Sequence, residues 1–137
     1  MNRTPSQTVG PYYTIGLCRR PDDQLVADGV ELTGRLLDGQ GEPVWDGVVE
    51  VFDASTRTWG RSGTDTEGRF RFRVPREAVR LEAYVFARGL LRHQLTRIYL
   101  DSGAEAEDET LVAEHDGDGF RFDIHLQGDR ATLFFEH

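Results

Sequence analysis

An all-β sandwich is what this sequence predicts, and three observations predict it. Apolar residues recur with period two in short runs: in Arg69–Val74, Phe70, Phe72 and Val74 share one face and three arginines share the other. Turn signals rich in glycine and aspartate, such as Asp38-Gly39-Gln40-Gly41 and Thr64-Asp65-Thr66-Glu67-Gly68, punctuate those runs. No segment carries a convincing helical period. An antiparallel β-sandwich of about seven short strands, preceded by an extended N-terminal arm, follows from this pattern.

Each element has its own reason. Residues 1–29 lack alternation and hold Pro5, Pro11 and Pro21, so they read as an arm ahead of a single domain at 30–137. Glu31–Leu37 is the first expected strand, ended by the Asp38–Gly41 turn. Val48–Phe52 is the second, with Val49, Val51 and Phe52 favouring extended backbone and Trp45 and Trp59 on its flanks. In Thr64–Gly68, Asp65 can accept backbone hydrogen bonds and Gly68 can take positive φ, which makes a hairpin turn into Arg69–Val74. The arginines of that strand read as a solvated face. Leu81–Arg88 and His93–Leu100 flank Gly89 as a strand pair. Residues 101–118 are acidic, contain glycine and lack aromatics, which predicts a loop. Phe120–Leu126 alternates again, and Thr132–Phe135 closes the sheet.

Composition narrows the functional classes. A chain of 137 residues fits one domain and leaves no room for a separate cofactor domain. No apolar stretch approaches the roughly 20 residues of a membrane span, and Arg3 is followed by no apolar leader core, so neither a span nor a signal peptide is expected. The single cysteine, Cys18, cannot form an intrachain disulfide and fits a cytoplasmic location. A net charge of -8 argues against nucleic-acid binding. Every cationic side chain other than histidine is arginine, a bias that a GC-rich coding genome accounts for.

Three segments carry a resemblance. Pro5-Ser6-Gln7-Thr8-Val9-Gly10-Pro11-Tyr12-Tyr13, Phe86-Ala87-Arg88-Gly89-Leu90-Leu91-Arg92-His93 running into Leu95–Tyr99, and Phe120–Gly128 together resemble the intradiol ring-cleaving dioxygenases, and within them the α-type subunits. The stretch from Val30 to Val74 is less specific, since transthyretin-like and other prealbumin-like modules share its pattern. The resemblance implies a prealbumin-like sandwich and intradiol cleavage of protocatechuate with O₂ to 3-carboxy-cis,cis-muconate, in aromatic catabolism. It also implies a non-haem ferric ion held by two tyrosinates and two histidines, hard donors suited to that ion. In catalytic subunits a His-x-His on one strand aims both rings at one metal.

The residues that should hold iron are missing. Aligning Thr96–Leu100 with the family's following strand places Arg80-Leu81-Glu82 where His-x-His would lie, and a guanidinium has no lone pair to give. No tyrosine lies between Tyr13 and Tyr84, and the long family loops that carry the tyrosine ligands shrink to Asp53–Thr58 and Pro75–Val79. His93, His115, His125 and His137 lie on different elements without metal-ligand spacing. A triad drawn through Ser55, His93 and Asp53 lacks any nucleophile elbow.

The resemblance therefore implies a chain that binds no metal itself and pairs with a homologous β subunit bearing the His-x-His and tyrosine ligands. Its arm residues Thr8, Gly10, Pro11 and Tyr12 would line the partner's pocket, and Arg88 would face the substrate carboxylate, which a guanidinium can grip bidentately. The residues alone leave two other readings open: a free-standing prealbumin-like interaction module, and a self-sufficient intradiol enzyme with relocated ligands.

Overall fold

The computed structural model describes residues 22–90, 92–100, 105–128 and 131–135. Its strands are β1 (Val30–Leu37), β2 (Val48–Asp53), β3 (Thr58–Gly63), β4 (Arg69–Val74), β5 (Arg80–Phe86), β6 (Gln94–Tyr99), β7 (Glu114–Asp116), β8 (Gly119–Arg121) and β9 (Ile124–His125). They form two sheets: β4-β1-β8-β7, with β9 also paired to β1, and β3-β2-β5-β6. The expected all-β sandwich is the architecture found. No described helix is long and apolar enough to cross a membrane.

Period two decides what lies between the sheets. Leu32 and Leu36 from β1 meet Phe70, Phe72 and Val74 from β4, while Val49, Val51, Leu81, Ala83, Val85 and Ile98 come from the other sheet, all in one buried cluster. Burying Phe72 alone is worth roughly 1.5–3 kcal/mol by area transfer, and its side chain is 1% exposed.

Four local outcomes differ from the sequence pattern, each for a physical reason. The β3 strand shows no apolar alternation because its inward position is Gly60. A Cβ there would sit 2.6 Å from Leu25 Cδ1, so Leu25 fills the space that a side chain on β3 would take. Leu25 is held by a ladder along the sandwich edge: Asp22 O accepts from Arg61 N (2.8 Å), Asp23 O from Arg73 N (2.9 Å), and Leu25 N donates to Arg73 O (2.9 Å). Residues 22–25 thus join the two sheets.

The expected strand Phe120–Leu126 is split into β8 and β9. Asp123 causes the break: its Oδ1 takes the Arg35 N–H at 3.0 Å in place of a backbone carbonyl. Both halves pair with β1 in parallel, so the sandwich is not wholly antiparallel. The acidic stretch at 101–118, expected as a loop, contributes β7, three exposed residues paired with β8. Thr132–Phe135, expected as a closing strand, makes one isolated bridge, Phe135 to Leu95.

Candidate functional site

The outward face of the β3-β2-β5-β6 sheet holds the positions that the sequence marks for chemistry. Register fixes its rows. Glu82 lies opposite Phe52 on β2 and opposite Arg97 on β6, and Arg80 lies opposite Tyr99. Glu50 lies between Arg61 and Tyr84. These side chains point away from the core, because the residues between them on β5, Leu81, Ala83 and Val85, point into it.

One end of the face is an ion-pair network. Arg97 Nε lies 3.2 Å from Glu82 Oε2, its Nη1 meets Glu107, and its guanidinium carbon lies 4.6 Å from the centre of the Phe135 ring. Tyr99 donates to Glu107 Oε1 at 2.8 Å. That hydrogen bond, reinforced by Arg97, holds the Glu107 carboxyl below its ordinary value. Partial burial pulls the Arg97 pKa down, but the Glu82 and Glu107 carboxylates outweigh it, and the net direction is up.

The other end is an aromatic and cationic lip. His93 packs 5.4 Å from Tyr84 and 5.2 Å from Phe86, ring centre to centre. Arg88 follows β5, ahead of Gly89 at φ 85, and its guanidinium carbon lies 5.2 Å from the Trp45 ring centre. Trp45 is held outward by a local twist of the chain: the buried Asp46 takes φ 61, and Gly47 N donates to Thr64 Oγ1 at 2.8 Å. Arg88 is exposed.

Trp45 is a neighbour that the sequence reading did not assign to Arg88. Trp45, bulky and just after Pro43 at a strand entrance, is the available signal. Thr8, Gly10, Pro11 and Tyr12 lie outside the described residues.

The drawn triad is not assembled. Asp53 accepts from Ser55 Oγ (2.9 Å) and Thr56 Oγ1 (2.8 Å), which closes the β2–β3 turn. His93 packs on Phe86, which pairs with Val48 at the opposite end of β2 from Asp53. At about 3.3 Å per residue those ends are roughly 17 Å apart.

Comparison with known proteins then decides the family. The chain is 32% identical to the protocatechuate 3,4-dioxygenase alpha chain of Burkholderia cepacia, covering 99% of this chain and 98% of that one. The chain belongs to the protocatechuate 3,4-dioxygenase alpha-chain family. A second alpha chain, from Pseudomonas putida, is 28% identical with 97% and 96% covered. The first alignment spans 193 residues against the 137 of this chain, so that relative carries segments absent here. The dioxygenase domain of a dioxygenase carbohydrate-binding fusion from Streptomyces sp. SirexAA-E shares the fold, with TM-score 0.60 at 20% identity over 93% of this chain and 99% of that one. No family model matches.

Intradiol dioxygenases use a non-haem ferric ion, and the side chains on this face do not fit one. Arg80 and Glu82 stand at the two expected imidazole positions, and Glu82 is committed to Arg97. His93, His115 and His125 do not converge; His115 packs 4.9 Å from Phe120 on the other sheet. Among the described residues no three His, Cys, Asp or Glu side chains are grouped to hold a metal ion.

Proposed function

We propose that this chain is a non-catalytic α-type subunit of a cytoplasmic protocatechuate 3,4-dioxygenase, and that it lines the active site of an iron-bearing β subunit. The observation that carries the reading is the full-length match to alpha chains, joined to an outward face whose expected imidazole positions hold Arg80 and Glu82. The assembled enzyme would cleave protocatechuate between its hydroxyls with O₂, and the partner would supply the metal.

This chain's part is binding and shape. The arm before the 30–137 body reaches the partner, where Gly10 and Pro11 fix a tight backbone path, Thr8 offers a hydroxyl, and the Tyr12 ring forms a wall with a hydroxyl handle. Arg88 grips the substrate carboxylate with its planar fork. Trp45 acts as a positioning residue: stacking against the guanidinium limits its rotamers before substrate arrives.

Two experiments test this. Co-expression with a homologous chain bearing His-x-His should give a complex that co-purifies, contains iron and opens protocatechuate. A colourless monomer or homodimer that ignores every such chain would overturn the reading, as would an iron-loaded homomer active alone. In the complex, Arg88→Ala should raise KM for protocatechuate more than for catechol, which lacks the carboxylate. An equal rise for both would remove Arg88 from that role.

A further inference from the structure

The outward face of the other sheet carries an arrangement that folding alone does not favour. Register places Arg35 on β1 directly opposite Arg69 on β4, and places Thr33 between Arg71 on β4 and Arg121 on β8. With strands about 4.8 Å apart, the Cα atoms of Arg71 and Arg121 are roughly 10 Å apart across Thr33. Like charges opposite each other in a sheet destabilise it. These four arginines line a cleft of about 670 Å³, together with the carboxylates of Asp23, Asp65 and Glu67, in a chain whose net charge is -8.

Two of the four arginines are in contact ion pairs, and Asp23 and Glu67, which also line the cleft, are ion-paired with neither of the others. Asp65 pairs with Arg69 at 3.1 Å, and Asp123 pairs with Arg121 at 3.3 Å. Neither Arg35 nor Arg71 is ion-paired with a described carboxylate. Arg35 instead donates its Nε to the Glu67 carbonyl at 3.0 Å, which leaves both terminal nitrogens of its fork available and fixes their direction. The Arg71 backbone is pinned, because its N–H donates to Ser62 Oγ at 3.2 Å, and its side chain is exposed. Thr33 lies in register between Arg71 and Arg121, two residues before Arg35 on β1, and its hydroxyl makes no hydrogen bond to a described residue.

We propose that this cleft binds a compact dianion. Arg35 and Arg71 would grip it, the Thr33 hydroxyl would donate to it, and Arg69 and Arg121 would add field from the rim. The chemistry required is two negative charges on oxygens a few ångströms apart, which a phosphate group and a short dicarboxylate share. The proposal is independent of the α-subunit reading, since Arg88 does not line the cleft.

The test titrates the full chain with inorganic phosphate, malonate and acetate at matched ionic strength, followed by calorimetry and by amide shifts of β1 and β4. Phosphate, malonate or both should bind at roughly 1 mM or tighter and move the amides of Thr33 and Arg71. Phosphate alone would assign a phosphoryl ligand, and malonate alone a dicarboxylate. Arg71→Ala should weaken binding at least about tenfold, ~1.4 kcal/mol, while Arg76→Ala outside the cleft should change nothing. Arg35→Gln should do the same as Arg71→Ala; if it unfolds the chain, the exposed Arg71 decides. Acetate binding as tightly, equal losses from Arg76→Ala and Arg71→Ala, or no saturable binding would each overturn the proposal.

Discussion

On the β3-β2-β5-β6 sheet, register sets opposite charges side by side: Glu50 faces Arg61 and Glu82 faces Arg97, with contacts of 2.6 and 3.2 Å. On the β4-β1-β8 sheet, register sets Arg35 beside Arg69 and leaves Arg71 without a described carboxylate. The first face sets Glu50 and Glu82 against cations; the second also sets Glu31 opposite Arg73, but places Arg35 against Arg69 and Arg71 against Thr33. Both outward faces alternate with the same buried core, so hydrophobic pattern cannot tell them apart. Cross-strand partners can, because a pair contributes or costs a few tenths to about 1 kcal/mol according to sign.

The largest expected effect tests what the two faces share. Phe72 is 1% exposed and packs between the sheets, in the space beside Gly60. Phe72→Ala should cost about 3–5 kcal/mol through lost transfer energy and the cavity left behind. Urea unfolding should show a lower midpoint with little change in slope. Loss confined to one sheet, seen as amide exchange rising in β1 and β4 but not in β2 and β5, would mean that the faces do not rest on one cooperative core.

A smaller effect should come from the self-satisfied face. Arg97→Met keeps the stem on Phe135 but leaves Glu82 and Glu107 without their shared cation. Because the Arg97 side chain is 28% exposed, water compensates in part, and the expected cost is about 1–2 kcal/mol. Glu82→Gln in the Arg97→Met background should then cost less than in the wild type. Additive losses would show that the pair does not couple.

The same network has a pH signature. The folded Glu107 carboxyl titrates below its ordinary 4.5, so folding favours the ionised form. Its contribution is present above about pH 4.5 and is lost as pH falls through the depressed folded value. Carboxyl NMR titration should give a Glu107 midpoint under 4.5 in the wild type and closer to the ordinary value in Tyr99→Phe, which removes the main hydrogen bond.

How much of this was legible follows the physics of each residue. Alternation in Arg69–Val74 and Glu31–Leu37 exposed the core, because one face of each strand is filled by apolar side chains. The β3 strand was invisible because Gly60 borrows its side chain from Leu25, a contact between segments far apart in sequence. The break at Asp123 was invisible because a carboxylate replaced a carbonyl in the ladder. For the candidate site, the loss of imidazoles was plain at Arg80 and Glu82. Which cation would answer Glu82 was not, since Arg97 reaches it only through strand pairing. Trp45 came to Arg88 through a left-handed Asp46, a backbone state that a sequence seldom announces for a residue other than glycine.

The smallest predicted effect lies on the arginine face and separates backbone from surface electrostatics. Asp65 accepts from Glu67 N and Arg69 N, both at 2.9 Å, and also pairs with the Arg69 side chain. Burial pushes its pKa up, but those backbone bonds and Arg69 outweigh it and bring it below the ordinary value. Asp65→Ala removes the oxygen that closes the β3–β4 hairpin and should cost about 1 kcal/mol. Arg69→Ala leaves the backbone bonds intact and removes only an exposed ion pair, for about 0.5 kcal/mol or less. It also relieves the repulsion with Arg35, so the net change should fall toward zero and rise slightly in favour of the variant at low salt. If Arg69→Ala costs as much as Asp65→Ala at every salt concentration, Arg35 and Arg69 do not repel, and the contrast between the two faces loses its electrostatic basis.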